Sequence, residues 1–252
     1  MKKHLSIAIL CMLFFSSIAQ QSKLKDQHVN AVLLQGNYSL QIPLMDYAER
    51  YGISSTIGGS LSYKFGKNYM LGFEGNFIFG SKIKDNQLYS GISNDKGQIM
   101  GWNGLYEPYI VNQRGFTVLG KFSKVFSFGK LNKNSGIIAS LGFGAIQHKI
   151  KIDLSESNVP HLDEDYHKGY DQLSNGFLCS QFIGFQFLDV NKRINFVIGW
   201  EFNQGLTKHR RSWDFNKNSE PSQALRKDLS TGFRLGWIIP IYLMQTEKYY
   251  TH

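Results

Sequence analysis

The 252-residue sequence predicts an all-β fold, an eight-stranded antiparallel transmembrane β-barrel of the outer membrane, preceded by a cleaved signal peptide. Three observations predict it. Side-chain character alternates with a period of two. Connections alternate strictly between short and long. Beyond the N-terminal leader no stretch is long and apolar enough for a membrane-crossing helix. A secreted chain without such helices spans a membrane only as a closed barrel, which pairs every backbone group.

The leader comes first. Met1, Lys2 and Lys3 are followed by a mostly apolar run from Leu5 to Ile18. Small residues stand two apart at Ser17 and Ala19, and polar sequence begins at Gln20. This is the layout of a secretory signal peptide, expected over 1–19, with the barrel over 20–252. The apolar run is too short for a comfortable retained anchor. Cys11 lies inside the run rather than after the small residues, which argues against a lipoprotein signal. The mature chain keeps one cysteine, Cys179, so no intramolecular disulfide is expected.

The strand evidence is clearest in two segments. From Tyr69 to Gly80 one face reads Tyr, Leu, Phe, Gly, Phe, Phe and the other Met, Gly, Glu, Asn, Ile, Gly. From Ile194 to Asn203 one face is Ile, Phe, Ile, Trp, Phe and the other Asn, Val, Gly, Glu, Asn. A bulky apolar face opposite a small, polar one suits a lipid-facing strand around a filled interior. Eight such runs are expected, near 30–42, 54–65, 69–80, 116–128, 136–152, 175–189, 194–207 and 228–243.

The connections 66–68, 129–135 and 190–193 are short. Those at 43–53, 81–115, 153–174 and 208–227 are long. Short periplasmic turns with long outer loops are the outer-membrane pattern, and an even strand count puts both termini in the periplasm. Pro43, Pro108, Pro160 and Pro221 fall in the long loops or at their edges, where no ladder donor is lost; Pro240 stands apart, near the end of the last strand. A soluble β-sandwich or lipocalin-like barrel also alternates, but its exterior is charged. Here the small, polar face carries too few charges for that.

An eight-stranded barrel holds side chains rather than an open pore. Glu74, Lys121, Glu201 and Arg234 are predicted inward at similar depth, as barrel-interior ion pairs. Buried charges require such pairing. A satisfied polar plug is the plainer reading, and a gated or proton-conducting path the sharper one.

Other chemistry is weaker. In His161–His167, His, Asp, Asp and His recur every second residue, but the spacing matches no zinc or calcium pattern. An acidic solvated loop is expected there, with no metal and no cofactor. Ser140, His148, Ser180 and His209 are available for catalysis, yet no spacing singles out a triad and no G-x-S-x-G occurs. No enzymatic activity is expected. Cys179 is expected to face lipid as a small apolar residue.

Charge says more. The formal net charge is +9. The periplasmic turns hold Lys67, Lys130, Lys133, Lys192 and Arg193, a candidate docking surface. The last outer loop holds Lys208, Arg210, Arg211, Lys217, Arg226 and Lys227, while the third holds Asp153, Glu156, Asp163, Glu164 and Asp165. Loops three and four are expected to pair over the mouth. Basic residues near the surface suit outer-membrane lipids and lipopolysaccharide. Location, rather than charge, excludes nucleic acid. The second outer loop is long and rich in apolar residues, so it should fold on itself or meet a partner; Tyr89, Trp102, Tyr106 and Tyr109 are its candidate contact residues.

A resemblance is carried by Leu71–Gly75 through Phe79-Gly80, Asp95–Gly97, Arg114–Phe116, Asp163–Tyr170 and Asn175–Phe177. Phe182–Gly184, Arg193–Phe196 and Gly232–Trp237 extend it. These segments resemble a family of small outer-membrane barrels found in Bacteroidota, within which the chain is similar to a component associated with the type IX secretion system. The resemblance implies association with periplasmic secretion-ring proteins, and with gliding in species that glide. No catalytic residue comes with it. The expected function is a non-enzymatic barrel that anchors or organises a protein-secretion complex. An autonomous structural or surface-binding barrel and a lipid-modifying enzyme are the alternatives.

Overall fold

The structure, a computed structural model, describes residues 30–85, 88–89, 91–94, 96, 98–101, 104–127, 133–154, 164–188 and 195–243, the side chains of 107, 154, 164 and 165 excepted. The signal-peptide segment lies outside them.

Among these residues the strands are β1 (Ala31–Met45), β2 (Ser54–Phe65), β3 (Tyr69–Gly80), β4 (Gln98–Met100), β5 (Tyr106–Ser127), β6 (Gly136–Leu154), β7 (Ser174–Phe187), β8 (Phe196–His209) and β9 (Arg226–Tyr242), with short helices α1 (Asp46–Arg50) and α2 (Glu164–Tyr170). Each long strand pairs antiparallel with its neighbours, β9 pairs back onto β1, and β3 pairs with β5 across the second loop. Eight strands therefore close into a ring with no free edge, which satisfies the backbone without water. β4 stands outside the ring, paired to the outer end of β5.

The largest departure from the expected boundaries is in β5. Tyr106 to Gly115, expected as loop, is strand, paired first with β4 and then with β6. The hairpin of β5 and β6 consequently rises beyond its neighbours at the long-loop end. Two prolines differ from expectation: Pro43 and Pro108 lie within strands, as Pro240 does near the end of the last one, where it is expected. Each sits where one neighbouring strand has stopped. β2 pairing ends at Gln41, so Pro43 meets only β9. Pro240 meets β1, while β8 pairing ends at Trp237. The Ile238 N–H points to the β8 side and reaches the Asn195 carbonyl. Two residues on, the absent Pro240 N–H faces that same side, past the ladder's end.

The turn between β2 and β3 is Gly66-Lys67-Asn68, with φ of 51° at Gly66 and 68° at Asn68. Glycine and asparagine are the residue types that accept this left-handed backbone.

Outward positions are large and exposed: Leu34, Leu40, Ile57, Leu71, Phe73, Phe116, Phe122, Phe143, Phe177, Phe202 and Phe233 among others. Water does not tolerate so continuous an apolar wall, and lipid does. Near the short turns the wall is aromatic. Tyr63, Phe65, Tyr69 and Phe122 stack in series with centroids 5.9, 6.2 and 5.9 Å apart. Cys179 lies on the same outward face as Phe177 and Ile183.

The interior is not uniformly polar. At the short-turn end it is an apolar core of Leu33, Met70, Val125, Ile138, Phe182, Val197 and Ile238. The four ion-pairing residues lie farther in, as the strand directions require: Met70 precedes Glu74, Val197 precedes Glu201, Val125 follows Lys121 and Ile238 follows Arg234.

Candidate functional site: an ion-pair septum under a four-loop lid

Alternation on β3, β5, β8 and β9 points Glu74, Lys121, Glu201 and Arg234 inward. The structure brings all four together. The Arg234 guanidinium donates to Glu74 at 2.5 Å and reaches Glu201 at 3.1 Å. Lys121 Nζ reaches the second Glu74 oxygen at 2.8 Å. Polar neighbours complete the shell: Asn76 donates to Glu74 at 2.9 Å, Arg234 donates to Asn37 at 2.9 Å, and Gln41 donates to Glu201. The network is thus a fork, one guanidinium holding two carboxylates, with the ammonium on one of them.

Phe182 supports it from the short-turn side. Its ring centroid is 5.8 Å from Lys121 Nζ and 5.9 Å from the Arg234 guanidinium carbon, within reach of a cation–π attraction. The ring lies over Gly184 and Gly199. A Cβ on Gly199 would sit 2.8 Å from Phe182 Cζ and 2.3 Å from the Ile183 carbonyl oxygen. Gly199→Ala is therefore expected to lower stability by about 1–3 kcal/mol through overpacking, read as a lower temperature for loss of the SDS-resistant folded band.

Two small cavities flank the network. One, of about 40 Å³, is lined by Lys121, Arg234, Met70 and Phe182. The other, of about 20 Å³, is lined by Glu74, Glu201, Gln41 and Asp228. Cations border the first and carboxylates the second, so the ion pairs act as a septum across the bore.

A second cluster lies toward the long-loop end. The buried Asp228 carboxylate accepts from Arg50 at 2.5 Å, Thr207 at 2.5 Å and His148 Nε2 at 2.9 Å. With the carboxylate accepting, Nε2 carries a proton, and the neutral ring accepts at Nδ1 from the Tyr51 hydroxyl, 3.2 Å away. Both ring nitrogens are occupied. Burial pushes the Tyr51 phenol up to about 12, and raises that of Tyr47 further. Both tyrosines stay neutral in the physiological range. The His–Asp pairing has the look of acid–base machinery, but His148 is fully buried and open to no substrate.

Above this cluster the four loops interlock. Arg50 and Gly52 pair with Lys84 and Lys82 across loops one and two. The Tyr89 N–H donates to Asn216 Oδ1 at 2.9 Å, tying loop two to loop four. Phe215 N–H donates to the Gly169 carbonyl at 3.0 Å, tying loop four to loop three. Tyr47, Tyr51, Leu88, Tyr89, Ile99 and Tyr170 make a core of their own, closed from the bore side by Ile150 and Ile152.

Loops three and four do pair over the mouth, through Arg211 and Asp171 at 2.5 and 2.9 Å. The acid is Asp171, not one of the five named from the sequence. Asp153 pairs instead with Lys151 at 2.7 Å. The stretch 155–163 lies outside the described residues, and His167 sits on α2.

Burial removes Tyr89 from the candidate outer contacts. It has no exposed surface, stacks on Tyr170 at 5.2 Å and meets Tyr109 edge-on at 5.5 Å. Its backbone has φ of 61°, which no local residue type announced. Tyr106 is exposed and Tyr109 half-buried, both on β5; Trp102 lies outside the described residues. Of the basic turn residues, Lys67 and Lys133 are exposed, while Lys130, Lys192 and Arg193 lie outside the described residues.

A closed eight-stranded ring with an apolar, aromatic-edged exterior, short turns at one end and long loops at the other is a membrane-spanning barrel of the outer-membrane type. Solved structures of small outer-membrane barrels share the shape distantly. Neisserial surface protein A is 11% identical, over 82% of this chain and 96% of that one, with a TM-score of 0.42. Ail, the attachment invasion locus protein of Yersinia pestis, solved with the heparin analogue sucrose octasulfate, is 10% identical over 84% of this chain and all of its own, at 0.40. The N-terminal barrel domain of Pseudomonas aeruginosa OprF is 8% identical over 84% of this chain and all of its own, at 0.36. No family profile and no curated protein match the sequence. The barrel class rests on the closed ladder and the apolar wall.

Proposed function

We propose that the protein is a non-catalytic outer-membrane barrel that anchors a protein-secretion complex, a PorG-like component of a type IX, gliding-associated system. The observation that carries the structural role is the double closure of the bore, by the Arg234 septum and by the four-loop lid. A bore shut twice suits a scaffold better than a conduit. The resemblance described above supports the secretion role. The turn-side surface supports it too: the loop end is committed to the lid, and Lys67 and Lys133 stand free at the opposite end for an acidic periplasmic surface.

The test is a native co-purification from outer membranes in mild detergent, paired with a secretion assay. Ring proteins recovered in fixed ratio, with cargo left unsecreted on deletion, support the anchor. Lys67→Gln with Lys133→Gln is expected to weaken that recovery several-fold with the barrel still folded. Recovery of the barrel alone in more than one detergent, with secretion intact, overturns it in favour of an autonomous surface barrel.

A further inference from the structure

We propose that the outer wall of the barrel binds the phosphate groups of an anionic glycolipid of the outer leaflet, through Arg114, Lys149 and Lys151, with Lys208, Arg210 and Lys227 extending the site. The proposal rests on the outer-membrane placement above, with the long-loop end outside.

The alternation of β5 and β6 sets the direction of the first three. Gln113, His148 and Ile150 are buried inside the bore, so Arg114, Lys149 and Lys151 face out. Arg114 pairs directly with Lys149, and Lys151 with Asn112. Like charges directly opposite each other in a sheet repel, and an anion placed between them removes that cost. Asp153 takes one Lys151 donor at 2.7 Å; an ammonium has three.

The band continues across the wall. Gln147 pairs with Asn175, and Asn175 with Lys208. Arg210 Nε donates to Asn175 Oδ1, and Lys227 pairs with Leu206, two residues from Lys208. These residues crown the lipid-facing surface. Phe116, Phe177 and Leu206, all exposed, lie one outward position below Arg114, Asn175 and Lys208. That spacing is about 7 Å along a strand, the step from acyl chain to headgroup. The opposite wall carries no such band: the outward residues of β1, β2 and β3 at this end are Ile42, Leu44, Ser55, Ile57, Phe77 and Phe79. A soluble anion would find these cations only at the bilayer surface. A lipid with phosphates on its headgroup meets cations and apolar wall together. Of the other basic residues at this end, Arg211 is held on Asp171 and Lys84 on the Ala48 carbonyl.

The test uses the full chain in neutral phosphatidylcholine vesicles, titrated with fluorescent bis-phosphorylated lipid A. A basic residue near an anionic surface is worth roughly fivefold, so Arg114→Gln, Lys149→Gln and Lys151→Gln together should weaken binding by about a hundredfold. The triple variant Lys82→Gln, Lys96→Gln, Lys217→Gln removes as much charge from the loops and should leave binding nearly unchanged. Equal loss in both triples reduces the effect to net charge and overturns the site, as does no loss in the first. Displacement of lipid A by inorganic phosphate alone overturns the lipid as the source. Lys217→Cys labelled by an impermeant maleimide on intact cells reports the placement separately. Unlabelled, both readings fall; labelled with no lipid binding, only the site does.

Discussion

Arg234→Met is expected to cost the barrel about 3–5 kcal/mol of unfolding free energy, the range for breaking one side of a buried ion pair. The guanidinium holds Glu74 and Glu201 together, and both carboxylates are almost wholly buried. Without it Glu74 keeps Lys121, but Glu201 keeps only the neutral Gln41. The double variant Arg234→Met, Glu201→Gln restores a one-to-one pairing and should recover more than half of the loss. Urea unfolding in lipid vesicles, followed by the fluorescence of Trp200 and Trp237, measures both. A single variant as stable as the parent would mean that the septum carries no stability. Planar-bilayer current through the parent should stay at background.

Asp228→Asn should have a comparable cost, about 3–5 kcal/mol, placed elsewhere. Asparagine keeps the shape and can still accept from Thr207, but it leaves the Arg50 charge without its partner. Arg50 belongs to α1, so the chain can relieve itself by releasing the lid while the eight-stranded ladder persists. The expected result is faster hydrogen exchange and new protease cleavage in loops one and two, with the folded barrel still resistant to SDS. Arg50→Met in the same chain removes the stranded charge and should restore most of the protection. Loss of the whole barrel in the single variant would show instead that Asp228 supports the ring itself.

Much of this architecture is legible in the residues. Period-two alternation suffices to number the strands, because a slip of one residue would turn every lipid-facing phenylalanine inward. It also places Glu74, Lys121, Glu201 and Arg234 on inward positions. That they pair is legible from their similar depth; which carboxylate meets which cation is not, since strand tilt and stagger decide that. The Asp228 cluster was missed for a different reason. His148 and Asp228 continue the inward series of β6 and β9, but the strands were read only as membrane spans, and α1, which supplies Arg50, is five residues long. Tyr106–Gly115 reads as loop because Pro108 interrupts it and the stretch before Gly115 shows no clear alternation. The lid was legible as apolar excess in loop two, though not as a four-loop core, because its contacts join segments far apart in sequence. Interior polarity was overstated: Met70 and Val197 stand on the polar faces as read, and at the turn end they are the core.

The seam where β9 meets β1 has a consequence for biogenesis. Its fifteen paired positions join the first and last strands among the described residues, roughly 200 residues apart. Contacts so distant form late and slowly. Until the final strand arrives, β1 and the newest strand are both open edges flanked by phenylalanine and leucine, a template for unwanted pairing. Insertion strand by strand would leave those two edges open unless a partner covers them. The chain has to be kept from aggregating in transit until the seam is zipped shut in one concluding event.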